Sequence, residues 1–367
     1  MKVLHVNAGA ETGGGKVHLI SLLSQTDKNS TDLLVFEEGL IASEARELGI
    51  KVTVLKQKSR FDLTVLKSFK SIIQDNDYDI IHTHGARSNL FVSLLRNLNA
   101  KWVVTVHSDP NLDFMGRGVL GKSYTLLNNY SLKKADYLIT VSSKIESSLR
   151  DKGIPASKLS TINNGIQFKE YSKPDIKKDD LTFTMTYIAR LHPIKRHDYL
   201  LEAIKESSLS DFTLNLVGDG EAKNAIVNKI NQLGLQKNVI LHGYLTSNQI
   251  NSVLENTDIS LLTSMSETFP LVLLESANYQ VPFISTDVGD VKRIDPHNNY
   301  SWIVPVNNKK QLINAIEEAY EFWKVNKLQE RGYKLYSEVA SKYTLKNMHD
   351  QVITIYQQIK KTNDNLR

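Results

Sequence analysis

The chain has 367 residues, 41% of them hydrophobic and 23% charged, with a formal net charge of +5. That length is enough for two domains and that composition for a sizeable core, while the mild positive charge tolerates anionic partners without calling for nucleic acid. Cysteine is absent, which excludes disulfides, thiolate catalysis and thiolate metal sites and suits a reducing compartment.

Met1 and Lys2 lead straight into the apolar run 3–6, without the basic stretch, long apolar run and cleavage site of a secretory signal. No apolar run approaches the ~20 residues of a membrane span, so a cytoplasmic chain is expected. Further β-branched runs follow at 32–36, 52–55, 78–84, 102–107 and 137–142, with helix-spaced segments between them at 16–24, 62–74 and 87–97. A polar stretch at 166–181, carrying Pro174 and a charge cluster, reads as a linker. The alternation restarts with strand runs at 182–188, 212–218, 239–243, 259–264, 282–286 and 301–306. Helices are expected between them at 196–206, 221–233, 247–255, 270–279 and 308–323, and 325–361 reads as helix alone. The pattern predicts an α/β protein of two doubly wound, Rossmann-like domains, 1–165 and 182–343, with a closing helical segment at 344–367.

Ligands of such sheets bind beyond the carboxyl ends of the strands, which ranks the candidate residues. Glu267 and Glu275 flank the run Thr268-Phe269-Pro270-Leu271 just after the strand at 259–264. Pro270 suits the first helical position, and the amides of Phe269, Leu271 and Val272 would then form an anion site at the helix start. Arg190 and Lys195 follow the strand at 182–188 and would neutralise a diphosphate; alternatively, with His192, Arg196 and His197, they are a solvated basic turn. Gly218 and Gly220 follow the strand at 212–218, and Tyr244 and Leu245 follow Gly243; each pair suits ligand contact or a plain turn.

In the first half, Gly13, Gly14 and Gly15 are contiguous, so they do not make the dinucleotide fingerprint and a nicotinamide enzyme is disfavoured. His18, His82, His84 and His107 gather near one sheet edge, open to metal binding, to hydroxyl recognition or to a structural role. Asp75, Asp77 and Asp79 precede a strand, at the wrong end for a metal–diphosphate clamp, and read as a solvated turn. The segment 112–134 mixes Phe114, Met115 and Leu120 with Arg117, Lys122, Lys133 and Lys134, a pattern for an anionic membrane surface or for a loop and core helix.

Together these residues resemble the retaining glycosyltransferases of family 4, which have the GT-B fold. The likeness rests on the E-x7-E spacing of Glu267 and Glu275, on IARLHPIK at 188–195, LVGDGE at 216–221, HGYL at 242–245, and on TGGG at 12–15, IHTHG at 81–85 and VVTVHS at 103–108. Ala189 and Arg196 stand where that family often has glycine. The resemblance implies two domains facing across a cleft, with the C-terminal helix crossing back to the first. It implies a nucleotide-sugar donor, usually a UDP-sugar, with no metal and no other cofactor. Arg190 and Lys195 would bind the diphosphate, Glu267 the donor sugar, Glu275 the ribose, and the backbone at 268–271 the sugar and phosphate. His107 would reach the donor sugar, and Gly14 and Gly15 would line the phosphate and acceptor side. Expected partners are the nucleotide-sugar and a glycan or lipid-linked acceptor of a cell-surface glycan, with peripheral membrane contact and no nucleic acid. A nucleotide-sugar 2-epimerase of the same fold and a non-catalytic nucleotide-sugar-binding protein are the alternatives.

Overall fold

The computed structural model describes residues 1–11, 13–59, 62–110, 118–171 and 182–364. The chain divides into two compact units, Met1–Gly165 with Leu345–Arg367, and Ile166–Thr344. The expected linker is split: residues 166–171 belong with the second unit, where the Ile166 amide donates to the Tyr343 carbonyl (2.9 Å), and 172–181 lie outside the described residues.

The first unit runs β1 Val3–Asn7, α1 Gly14–Leu23, β2 Thr31–Val35, α2 Leu40–Glu47, β3 Lys51–Val54, α3 Leu66–Asp75, β4 Ile80–His84, α4 Ala86–Leu94, β5 Lys101–Val106, α5 Gly118–Lys134, β6 Tyr137–Thr140, α6 Ser143–Asp151 and β7 Leu159–Thr161. Its seven strands are parallel in the order β3-β2-β1-β4-β5-β6-β7, so the strands next to β1 leave in both directions. Leu4, Val6 and Val104 face Phe69, Phe91, Leu132 and Ile145 on one side. On the other, Leu33 and Val35 meet Leu19, Leu23 and Ile41. Burial on both faces explains the unbroken apolar runs in the sequence.

The second unit runs β8 Phe183–Ile188, α7 His197–Glu206, β9 Phe212–Val217, α8 Lys223–Leu233, β10 Val239–Gly243, α9 Ser247–Glu255, β11 Ile259–Leu262, α10 Leu271–Asn278, β12 Phe283–Thr286, α11 Val291–Ile294, β13 Trp302–Val304, α12 Lys309–Lys324 and α13 Leu328–Ala340. Its parallel order is β10-β9-β8-β11-β12-β13. The connections cross over between β8 and β11, and the residues following those two strands are the site candidates. α10 packs so closely on α13 that a Cβ at Gly332 would lie 1.7 Å from the Gln280 carbonyl oxygen.

The last helix, α14 Leu345–Asp364, belongs to the first unit. Met348, Val352, Ile355 and Tyr356 cover Val3, Ile80, Val103 and Ile139 of the sheet. Lys360 pairs with Asp79 at 2.7 Å, and Asp79 also accepts from the Lys2 amide at 2.8 Å. Asp79 is therefore a fastening point for α14, not the solvated turn residue that its neighbours suggest.

Candidate functional site

The polypeptide leaving β8 makes a short 3₁₀ turn, Pro193–Lys195, before α7 begins. The Lys195 backbone is pinned: its carbonyl accepts from the Tyr187 hydroxyl (2.6 Å) and the Thr263 hydroxyl (3.1 Å). Its ammonium donates to Glu267 Oε1 at 2.5 Å, and Ser264 Oγ donates to the same oxygen at 2.6 Å. Both members of the pair are largely covered, with side chains 22% and 15% exposed, so the attraction is screened less than in a surface ion pair. Lys195 and Glu267, separate in sequence, thus meet beyond the carboxyl ends of β8 and β11. Arg190 is held elsewhere, donating to Glu221 Oε2 at 3.0 Å from a well-exposed position.

α10 starts one residue later than the sequence suggests. Pro270 is the N-cap residue, with an extended backbone, and Leu271 is the first helical residue. The amides of Leu271 and Val272 therefore have no intrahelical acceptor and carry the positive end of the helix dipole. Phe269 is a core residue, 4% exposed, its ring 5.3 Å from that of Tyr343, so any ligand contact there belongs to its backbone. The turn carrying Glu267 and Thr268 rests on Gly289, whose φ of +56° suits glycine, and where a Cβ would lie 2.3 Å from the Thr268 carbonyl oxygen. Glu275 lies half-buried in α10, and burial raises its pKa.

Gly218 and Gly220 have a structural reason for being glycine. Cβ atoms there would lie 2.1 Å from the Ala189 and 2.4 Å from the Leu191 carbonyl oxygens. The loop after β9 is thereby clamped against the loop after β8, with Leu191 N donating to Asp219 O (3.0 Å). Tyr244 stands at the end of the edge strand β10, 81% exposed, with Leu245 beside it partly covered. Arg196, in a glycine's usual place, adopts the left-handed φ of +55°. Its guanidinium donates to Asn307 (2.8 Å) and lies over the Tyr199 ring, contacts that hold the strained backbone.

In the first unit, Gly14 and Gly15 open α1. A Cβ at Gly15 would lie 2.9 Å from a Glu11 carboxylate oxygen and 3.6 Å from His107, and one at Gly85 would lie 2.6 Å from the other Glu11 oxygen. Glu11, which belongs to none of the motifs above, thus lies beside both Gly15 and Gly85. Its signal in the sequence was the glycine that begins each helix beside it. His107 follows β5, and among the described residues its Nε2 meets no hydrogen-bond partner; burial, then His18, hold its pKa well below the usual histidine value.

The other histidines lie deeper. His82 bonds the Tyr356 hydroxyl (2.5 Å) and the Thr105 hydroxyl (2.7 Å), His5 bonds His84 (3.1 Å), and His18 bonds Asn164 (2.7 Å). Burial holds His5 at a pKa of about 3 and His18 at about 4, and pushes His82 and His84 well below the usual value. His5, His82 and His84 offer nitrogen atoms within 4.8 Å of one another. They are fully covered and tied mainly to one another and to neighbouring hydroxyls, which makes them part of the framework under His107. The residues 111–117 of the basic–apolar segment lie outside the described residues. Its helical part, α5, exposes Leu126, Leu127 and Tyr130.

Residues 12–170 match the family model of Glycosyltransferase Family 4, and residues 168–335 that of Glycosyl transferases group 1. The chain is 26% identical to UDP-Gal:alpha-D-GlcNAc-diphosphoundecaprenol alpha-1,3-galactosyltransferase of Escherichia coli, over 70% of each chain. It is 24% identical to N-acetyl-alpha-D-glucosaminyl L-malate synthase of Bacillus anthracis, over 83% of this chain and 81% of that one. Among solved structures it resembles Anabaena Alr3699/HepE in complex with UDP, with a TM-score of 0.82 and 17% identity over 98% of this chain and 100% of that one. Two glycosyltransferase family models that between them take in both units, on a pair of Rossmann-like sheets, place the chain among the glycosyltransferases of the family 4, GT-B type.

Proposed function

We propose that the protein is a retaining hexosyltransferase that takes its sugar from a UDP-sugar and passes it to a glycan or lipid-linked acceptor, with no metal cofactor. The observation that carries this reading is the Lys195–Glu267 pair at 2.5 Å, seated beside the start of α10. A carboxylate and an ammonium poised together suit a ligand with hydroxyls at one end and phosphate at the other. On donor binding, Lys195 turns to the diphosphate and Glu267 to the sugar hydroxyls. The Leu271 and Val272 amides and Arg190 add to the neutralisation of the leaving group. Glu275 holds the ribose, and Gly218, Gly220, Tyr244 and Leu245 frame the base. The acceptor oxygen then bonds to the anomeric carbon on the face from which the diphosphate departs. The carbon–oxygen bond to UDP breaks, and the acceptor proton passes to a departing phosphate oxygen. Catalysis rests on positioning and on stabilising the leaving group. His107 is assigned to a donor hydroxyl, and Gly14 and Gly15 to the phosphate and acceptor side.

The UDP named with the Anabaena structure and the UDP-galactose named with the Escherichia coli relative support the donor class. The diphosphoundecaprenol named with the latter supports a lipid-linked acceptor for a cell-surface polysaccharide. A cytoplasmic protein in peripheral contact with the membrane fits that acceptor. On α5, Lys122, Leu126, Leu127, Tyr130, Lys133 and Lys134 are all exposed on a helix without an acidic residue, which suits an anionic lipid surface. The test is UDP release from UDP-glucose, UDP-galactose and UDP-N-acetylglucosamine with lipid-linked acceptors, in EDTA, with the product's anomeric configuration read by NMR. An α-linked product from the α-configured donor, formed in EDTA, is expected. A β-linked product or a dependence on divalent metal would overturn the mechanism.

A further inference from the structure

Doubly wound sheets are covered on both faces, and β11 and β12 obey this, buried throughout. β8 and β9 depart from it. Phe183, Met185 and Tyr187 alternate with Thr182, Thr184 and Thr186, and Leu214 and Leu216 alternate with Thr213 and Asn215. The apolar set lies in the core. Most of the polar set, with His242 of β10, floors an open cavity of about 490 Å³ walled by Ser252 of α9 and by Asn256 just after it. α9 directs Ile250 and Leu254 to Ile188, Tyr279 and Val281, and among the described residues nothing else covers this part of the sheet.

Among the described residues, those lining this cavity carry no charge at neutral pH, and all but Val253 bear hydrogen-bonding side chains. They are also ordered by one another. His242 Nε2 donates to Asn215 Oδ1 (2.9 Å), the Asn215 amide reaches Thr186 Oγ1 (3.4 Å), and Thr186 shares a bond with Thr257 (2.7 Å). With its proton on Nε2, neutral His242 keeps Nδ1 as an acceptor. Ile240, paired across the sheet with Asn215 and 47% exposed, places one apolar side chain on the same face beside the cavity. Hydroxyls and amides that both donate and accept, with Val253 and Ile240 beside them and no charge among the described lining residues, match the hydroxyls and C–H face of a neutral sugar ring. The volume lies in the range that takes small ligands.

We propose that this groove is a second, non-catalytic carbohydrate site for a short neutral saccharide. Thr182, Thr184 and Thr213 stand at the starts of their strands, and the extended chain from Thr184 to Arg190 spans ~20 Å, so this end of the groove is remote from the diphosphate residues, while His242 at its other end lies two residues before Tyr244. Its use in holding a stretch of glycan away from the reacting end rests on the transferase reading; its binding of sugar does not.

The test is saturation-transfer NMR on the full chain with maltose, melibiose, cellobiose and N-acetylglucosamine, each with and without saturating UDP. Thr213→Arg and Ser252→Arg put a long charged side chain into the groove from either wall. Variants that unfold at the wild-type temperature and bind UDP normally are expected to lose about tenfold or more in affinity for the sugar that the wild type binds. UDP is expected to leave that signal in place. Absence of transfer from all four sugars, displacement by UDP, or binding untouched by both arginines would overturn the proposal. Failure of the wild type to bind UDP would count against the donor reading alone.

Discussion

At the residue scale the site turns on a few carboxylates whose surroundings differ. Glu267 is ion-paired with Lys195 and accepts a hydrogen bond from Ser264, whereas Glu275 sits half-buried in α10, where burial raises its pKa. If ionised Glu275 holds the ribose, it is protonated at a higher pH than an ordinary glutamate. Donor binding then weakens on acidification sooner than it would with an ordinary glutamate. Steady-state kinetics should show the donor KM rising on acidification while kcat holds. Glu275→Gln should raise KM about tenfold at neutral pH, the loss of one charge-assisted hydrogen bond, and flatten its pH dependence. An unchanged KM would remove Glu275 from the donor site. The spacing of these two glutamates was legible in the sequence because a strand and a proline fix their place. Ser264 and Gly289 were not: their importance lies in contacts across the fold, to Glu267 and to the Thr268 carbonyl, which no local pattern announces.

At the element scale, strands were read more readily than their connections. The twelve apolar runs correspond to β1–β6 and β8–β13, because buried parallel strands leave continuous apolar stretches. β7, three residues long, was missed; so short a run between polar turns has no periodicity to detect. α4 ends at Leu94, short of the expected 97, and residue 97 adopts a left-handed φ of +56°. The attachment of α14 to the first unit shows what a helical pattern alone omits. Its Tyr356 hydroxyl is the partner of buried His82. Tyr356→Phe keeps the packing but strands that imidazole nitrogen, and should cost about 1–3 kcal/mol in chemical denaturation. A loss within error would mean that His82 finds another partner.

At the scale of the whole molecule, two properties follow from composition and arrangement. The first unit buries His5, His18, His82, His84 and His107 around one sheet edge, all with lowered pKa values. Unfolded, each would titrate near 6.5. Below that pH the unfolded chain takes up protons that the native one refuses. The stability is therefore whole above about pH 6.5 and declines as the pH falls toward the folded values, about 3 for His5 and about 4 for His18. Each group adds up to about 1.4 kcal/mol per pH unit. Hydrogen exchange at pH 7 and pH 5 should find the loss of protection concentrated in residues 1–165 and 345–364; a loss concentrated in the second unit would contradict this. The second is the proposed placing of the donor grip, Lys195 with Glu267, in the second unit. It is tested most directly by the double variant Lys195→Ala/Glu267→Ala, assayed for acceptor-dependent release of UDP from its UDP-sugar. Removing one group that stabilises developing charge typically costs about 10²–10³ in turnover, and the pair removed together should abolish measurable transfer while the protein stays folded. Release that needs no acceptor and survives the double substitution would contradict the mechanism.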